Sequence, residues 1–121
     1  MRERQPVVYI LASRRNGTLY TGLTSDLLQR LYQHRNDLLE GFTKEHGVKR
    51  LVWYEAHDIV ESAIIREKRI KAWKRDWRVK LIVSTNPDWR DLALDLGFPP
   101  LPPLPVHRNE GSGDGSLPSQ G

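Results

Sequence analysis

Two tyrosines, an arginine, a histidine and one isolated glutamate give this sequence its chemical possibilities. The stretch LYTGLTSDLLQRLYQH, residues 19–34, runs from Tyr20-x-Gly22 through Thr-Ser-Asp into a helical pattern that carries Arg30 and His34. At i and i+4 these two side chains project from one side of a helix. A guanidinium there can grip a phosphate through two parallel hydrogen bonds, and an imidazole can move a proton near neutral pH. Farther along, Glu67 is the only acid between Glu61 and Asp76, surrounded by Arg66, Lys68, Arg69, Lys71, Lys74 and Arg75. One carboxylate cannot cage Ca²⁺. It suffices for Mg²⁺, which keeps several waters and takes other ligands from a substrate phosphate. Plainer explanations stand beside these: an i,i+4 ion pair of Glu67 with Lys71, and an ordinary helix surface for Arg30 and His34.

These side chains act together only if the elements between them bring them together. VVYILAS and TLYTGLT are β-branched and aromatic runs separated by RRNG, and Asn-Gly between such runs is a strong hairpin signal. A four-residue loop pairs Ser13 with Thr18, and a two-residue loop pairs Arg15 with Thr18. Either register places Tyr9, Leu11, Tyr20 and Gly22 on one face. Gly22 admits a close neighbour there; the alternative is that both rings are strand aromatics packed under a helix.

Ser25 or Asp26 can cap a helix over about Asp26 to Leu39, with leucines at 27, 28, 31, 38 and 39 and Gly41 as its stop. Lys49 to Glu55 reads as a third strand. Asp58 and Glu61 form a capping box for a long helix to about Val83, with an apolar stripe of Ala63, Ile70, Trp73, Trp77 and Leu81. Asn86, ahead of Pro87, suits the N-cap of a short helix ending at Gly97. The order ββαβαα predicts an α+β fold, a small three-stranded antiparallel sheet flanked by helices.

Composition narrows the classes. Of the 121 residues, 19 are Lys or Arg and 15 are Asp or Glu, a net charge of +4. The sequence predicts one domain over residues 5–95 and a disordered Pro/Gly/Ser-rich tail over 96–121. Eight basic residues lie between Arg66 and Lys80, a density that suits a polyanion or, more plainly, a solvated helix face. With no cysteine there is neither a disulfide framework nor a thiolate zinc site. The four histidines show no short metal-ligand spacing. The apolar run Val7 to Ala12 is shorter than a typical signal-peptide core, and no segment approaches membrane-spanning length. A cytoplasmic protein with no membrane partner is expected.

Taken in order, these motifs resemble those of the GIY-YIG endonuclease superfamily, in particular its small stand-alone bacterial members. VYI (residues 8–10) stands for the first family motif and YTG (20–22) for the second. TSDLLQRLYQH resembles the arginine helix, AIIREKRIKAWKR the glutamate helix, and NPDWRDL the ending of the small members. The resemblance covers about residues 6–95. Val8 replaces the glycine of the first motif, Thr21 is the middle residue of the second, and Leu23 stands where the excision-repair branch has lysine.

What the resemblance implies is metal-assisted hydrolysis of DNA phosphodiesters, structure-selective or weakly sequence-specific, in repair or processing. Glu67 would hold Mg²⁺ or Mn²⁺, and Arg30 would stabilise charge on the phosphate. Tyr20, with Tyr9 or His34 relaying its proton, would position or deprotonate the attacking water; His34 as base is the rival assignment. A phenol is a poor base at neutral pH, so that role requires Arg30, metal or His34 to make it more acidic. Gly22 and Asn86 would support the site. Arg14, Arg15, Lys44, Lys49, Arg50, Arg69, Lys71, Lys74 and Arg75 would contact phosphates. The substrate form stays open between duplex, single-stranded or branched DNA and RNA. A non-catalytic nucleic-acid-binding module on the same fold is the alternative, and the tail could recruit a protein partner through its prolines.

Overall fold

The structure, a computed structural model, describes residues 5–102. The apolar run Val7–Ala12 forms β1, which lies in the middle of the sheet and is buried along its whole length. That position explains why its sequence does not alternate: both faces are covered. β2 (Leu19–Thr24) and β3 (Arg50–Ala56) pair antiparallel with β1 on either side. Ser13 N–H donates to Thr18 O at 3.0 Å, so the hairpin takes the four-residue loop, with Tyr9 opposite Gly22 and Leu11 opposite Tyr20.

On one face, Val8, Ile10 and Ala12 pack with Ala63, Ile70, Ile82 and Trp89. On the other, Tyr9 and Leu11 pack with Leu31, Val48, Leu51 and Ala93. The pairing of β1 with β3 shifts between Ile10 and Leu11, which makes Val52 the extra residue of a bulge.

Three helices differ from expectation. α1 covers Leu27–Arg35, not 26–39. Asp26 does cap it, its Oδ1 accepting from Gln29 N–H at 3.2 Å. The helix closes early because Asp37 adopts φ 57°. Leu38 N–H then reaches Gln33 O and Asp37 N–H reaches His34 O, a Schellman closure with an aspartate where glycine is usual. Leu38 is therefore exposed. A short α2, Phe42–Glu45, follows and was not foreseen.

The expected long helix to Val83 is two helices, α3 (Val60–Ala72) and α4 (Arg75–Thr85). Trp73 and Lys74 take extended backbone between them, at ψ 151° and 158°. Arg66 lies 5.7 Å from both the Trp53 and Trp73 rings, holding Trp73 inward, while Trp77 of the expected stripe is 57% exposed. The Asp58 capping box does not form: Ile59 is the N-cap of α3, without a side-chain bond.

Asn86 is not an N-cap either. It ends α4 and is buried, donating to the bulge carbonyl of Val52 at 3.1 Å and to Arg90 O at 2.9 Å while accepting from Arg90 N–H. The final helix is a 3₁₀ turn, Leu92–Leu96, capped by Asp91. Leu96 and Phe98 pack on the Tyr9 face, and the rest of the proposed tail, 103–121, lies outside the described residues with any partner-binding role. Among the described residues no helix is long and apolar enough to cross a membrane.

Candidate active site

Thr24 sets the entry to α1. Its Oγ1 accepts from Asp26 N–H at 3.0 Å, so the chain turns from β2 into the helix within two residues. α1 then lies over the Tyr9 face, with Leu31 and His34 as its buried residues. The Tyr9 and Tyr20 ring centroids are 6.3 Å apart, and the His34 ring sits 5.9 Å from Tyr9 and 5.8 Å from Tyr20. The Tyr9 hydroxyl is 3.1 Å from His34 Nε2, and Thr43 Oγ1 of α2 is 3.2 Å from His34 Nδ1. Tyr9 is wholly buried and His34 is 5% exposed. Tyr20 is half-buried and so is the outermost ring of the three.

Gly22 makes this packing possible. A β-carbon there would lie 2.6 Å from Tyr9 Cζ and hydroxyl and 3.0 Å from Tyr20 Cε2. Both rings would have to shift. Gly22→Ala is expected to cost about 1–3 kcal/mol of stability, as overpacking generally does, and to disturb the Tyr9–His34 contact. Urea midpoints together with the Tyr9 hydroxyl and His34 ring resonances check this.

Burial pushes the Tyr9 phenol well above its ordinary range, and Tyr20 adds to the effect; the Arg30 charge and its hydrogen bond to the phenol oppose it, and the Glu67 charge reinforces it. Arg30 from α1 and Glu67 from α3 thus both bear on the phenol of β1. Burial, and secondarily Arg30, pushes His34 down to about 4. Both rings are neutral at pH 7.

The unfolded chain protonates His34 near 6.5 and the folded chain only near 4, so between those values the unfolded state binds more protons. Stability is full above pH 6.5 and falls as the pH drops towards 4, by about 3 kcal/mol in all. His34→Gln should flatten that part of the curve, measurable by urea unfolding from pH 4 to 7.

Glu67 is 16% exposed at its side chain, and its Oε2 pairs with Lys71 Nζ at 2.8 Å; Lys71 is 52% exposed. The ion pair foreseen from sequence is present. Among the described residues no three His, Cys, Asp or Glu side chains converge as a metal cage. The donor set fits a hydrated hard cation held by one carboxylate and completed by substrate oxygens, and fits no zinc-type site.

The basic residues divide. Arg14 and Arg15 are exposed on the β1–β2 loop, and Arg75 Nη2 donates to Asn16 O at 2.9 Å, so the start of α4 adjoins that loop. Arg69 and Lys74 are exposed. Lys71 is engaged by Glu67. Lys44 pairs with Glu40 at 3.1 Å and Lys49 with Asp37 at 3.0 Å. Arg50 turns to the Trp89 carbonyl, 3.1 Å away, which makes its contact part of the fold. Thr43 is the site residue that spacing did not reveal; the nearest signal was that a buried histidine needs a partner on each ring nitrogen.

The profile of the GIY-YIG catalytic domain matches residues 5–80. The chain is 35% identical over 75 residues to a UPF0213 protein of Staphylococcus saprophyticus, covering 62% of this chain and 90% of that one. It is 35% identical over 79 residues to a UPF0213 protein of Clostridium perfringens, covering 65% and 84%. The solution NMR structure of a UPF0213 protein from Bacillus halodurans aligns with 78% of this chain and 99% of its own, at 26% identity and a TM-score of 0.48.

Proposed function

We propose, from the premise that this chain belongs to the GIY-YIG family of nucleases, that it is a divalent-metal-dependent endonuclease hydrolysing DNA phosphodiester bonds. The observation that carries the reading is the cluster of the Tyr9, Tyr20 and His34 rings, drawn from β1, β2 and α1, with the charges of Arg30 and Glu67 near enough to act on the buried Tyr9 phenol. Arg30 binds a non-bridging phosphate oxygen and offsets the charge that builds there. Tyr20, outermost of the rings, faces and orients the attacking water. Tyr9, kept protonated by burial, serves as a hydrogen-bond donor rather than a phenolate. His34 is more buried than Tyr20 and its proton affinity is reduced, which favours Tyr20 over His34 as the group that meets the water. Glu67 would hold Mg²⁺ or Mn²⁺, which when bound supplies electrostatic stabilisation of the phosphate and the departing oxygen.

Substrate affinity rests on Arg14, Arg15, Arg69, Lys74 and Arg75. Contacts of this type go to phosphates, so binding is sequence-tolerant and weakens steeply with salt. Single-stranded or branched DNA in repair or processing, within the cytoplasm, is the proposed setting. One observation favours the non-catalytic alternative: the Glu67 carboxylate is already neutralised by Lys71.

The test is incubation of the full chain with end-labelled single-stranded, duplex and flapped DNA and with RNA, under Mg²⁺, Mn²⁺ or EDTA. Cleavage of DNA that EDTA abolishes supports the proposal. Binding without cleavage under every metal supports the module.

A further inference from the structure

His34 has a hydroxyl at each ring nitrogen, Tyr9 at Nε2 and Thr43 at Nδ1. A neutral imidazole carries one proton, so one nitrogen donates and the other accepts. Which one does so decides where the Tyr9 proton points. Burial keeps Tyr9 protonated, and its oxygen already accepts from Arg30, which leaves the phenol its own proton to give to the imidazole. Of the two hydroxyls, Tyr9 is therefore the donor to imidazole and Thr43 the acceptor from it.

We propose that Thr43 is a positioning residue that holds His34 as the Nδ1–H tautomer, with the Nε2 lone pair aimed at the Tyr9 hydroxyl. Thr43 is itself held for this. It is buried within α2, and its carbonyl accepts from Val48 N–H at 2.9 Å across the turn at Gly47, φ 63°. His34 is likewise fixed at its backbone by the closure of α1, where its carbonyl accepts from Asp37 N–H. The remaining freedom is rotation of the ring about χ2, a broad torsion. The Thr43 bond removes it. With the Tyr9 proton drawn inward to Nε2, the phenol's lone pairs are left for Arg30. Tautomer control through the nitrogen away from the chemistry is a general use of such partners.

The assignment builds on the nuclease reading, but its first test needs no nuclease activity. A long-range ¹H–¹⁵N spectrum of the full chain at pH 7, with the His34 signals identified by their loss in His34→Gln, should show Nδ1 protonated and Nε2 bare. Thr43→Val should mix the tautomers or move the proton to Nε2, and Thr43→Ser should restore the wild-type pattern. In single-turnover cleavage of end-labelled DNA, Thr43→Val should lower the rate about tenfold at unchanged DNA affinity, with Thr43→Ser close to wild type.

An Nε2–H tautomer in the wild type overturns the proposal, as does a Thr43→Val spectrum identical to wild type. If Thr43→Val does not fold, the wild-type tautomer and Thr43→Ala carry the decision. An Nδ1–H tautomer in a chain that cuts nothing contradicts the nuclease reading and leaves the tautomer assignment standing.

Discussion

Arg30→Ala is expected to lower single-turnover DNA cleavage by about 10²–10³-fold, the usual cost of removing one preorganised donor from a developing oxyanion. The size follows from the site. Among the described residues Arg30 is the cation whose charge bears on both Tyr9 and His34, beside rings that burial keeps neutral. DNA binding should change much less, because Arg14, Arg15, Arg69, Lys74 and Arg75 supply phosphate contacts elsewhere on the surface. A second readout is independent of turnover. Because the Arg30 charge helps to depress the His34 pKa, its loss should move that value from about 4 upwards. NMR titration of the ring measures it. Unchanged titration would show that Arg30 does not face His34, whatever the cleavage rate.

Glu67→Gln should remove cleavage to a similar degree, about 10²-fold or more, and with it the response to Mg²⁺ or Mn²⁺. The substitution keeps the shape and removes the charge. The ion pair it breaks has a half-exposed lysine as one partner, so the stability lost is less than about 1 kcal/mol. Lys71→Ala separates the two readings of Glu67. If Lys71 merely balances a carboxylate that works on metal, freeing the carboxylate leaves cleavage intact or raises metal affinity. If the ion pair is the whole purpose of Glu67, both variants alter stability slightly and neither alters cleavage. Cleavage rates against metal concentration, with thermal unfolding of the same samples, distinguish these outcomes.

The hairpin was legible because a strand has period two. Once RRNG marks the loop, Tyr9, Leu11, Tyr20 and Gly22 must share a face in either register considered, and the structure selects Ser13 opposite Thr18. The i,i+4 spacing likewise placed Arg30 and His34 on one side of a helix.

The end of α1 was not legible, since the left-handed turn falls on Asp37, a residue without glycine's preference for it, and Gly41 was the more conspicuous stop. Nor was the break between α3 and α4. No Gly or Pro marks it, and the apolar spacing continues through Trp77, whereas the structure turns Trp73 inward against Arg66 and leaves Trp77 outside. Asn86 was misread because its partners, Val52 and Arg90, include a bulge carbonyl 34 residues away. Thr43 was invisible for the same reason. Its meaning comes from a histidine on another helix, and nothing in GFTKEH announces that contact.

The most direct measurement is single-turnover cleavage of end-labelled DNA by wild type, Arg30→Ala and Glu67→Gln, with binding determined on the same samples in Mg²⁺. Wild-type cleavage, and two variants that fold and bind but cut about a hundredfold or more slowly, is the expected result. Equal cleavage by all three, or none by a wild type that binds, would show that the Tyr9–Tyr20–Arg30–His34–Glu67 cluster is not a cutting site.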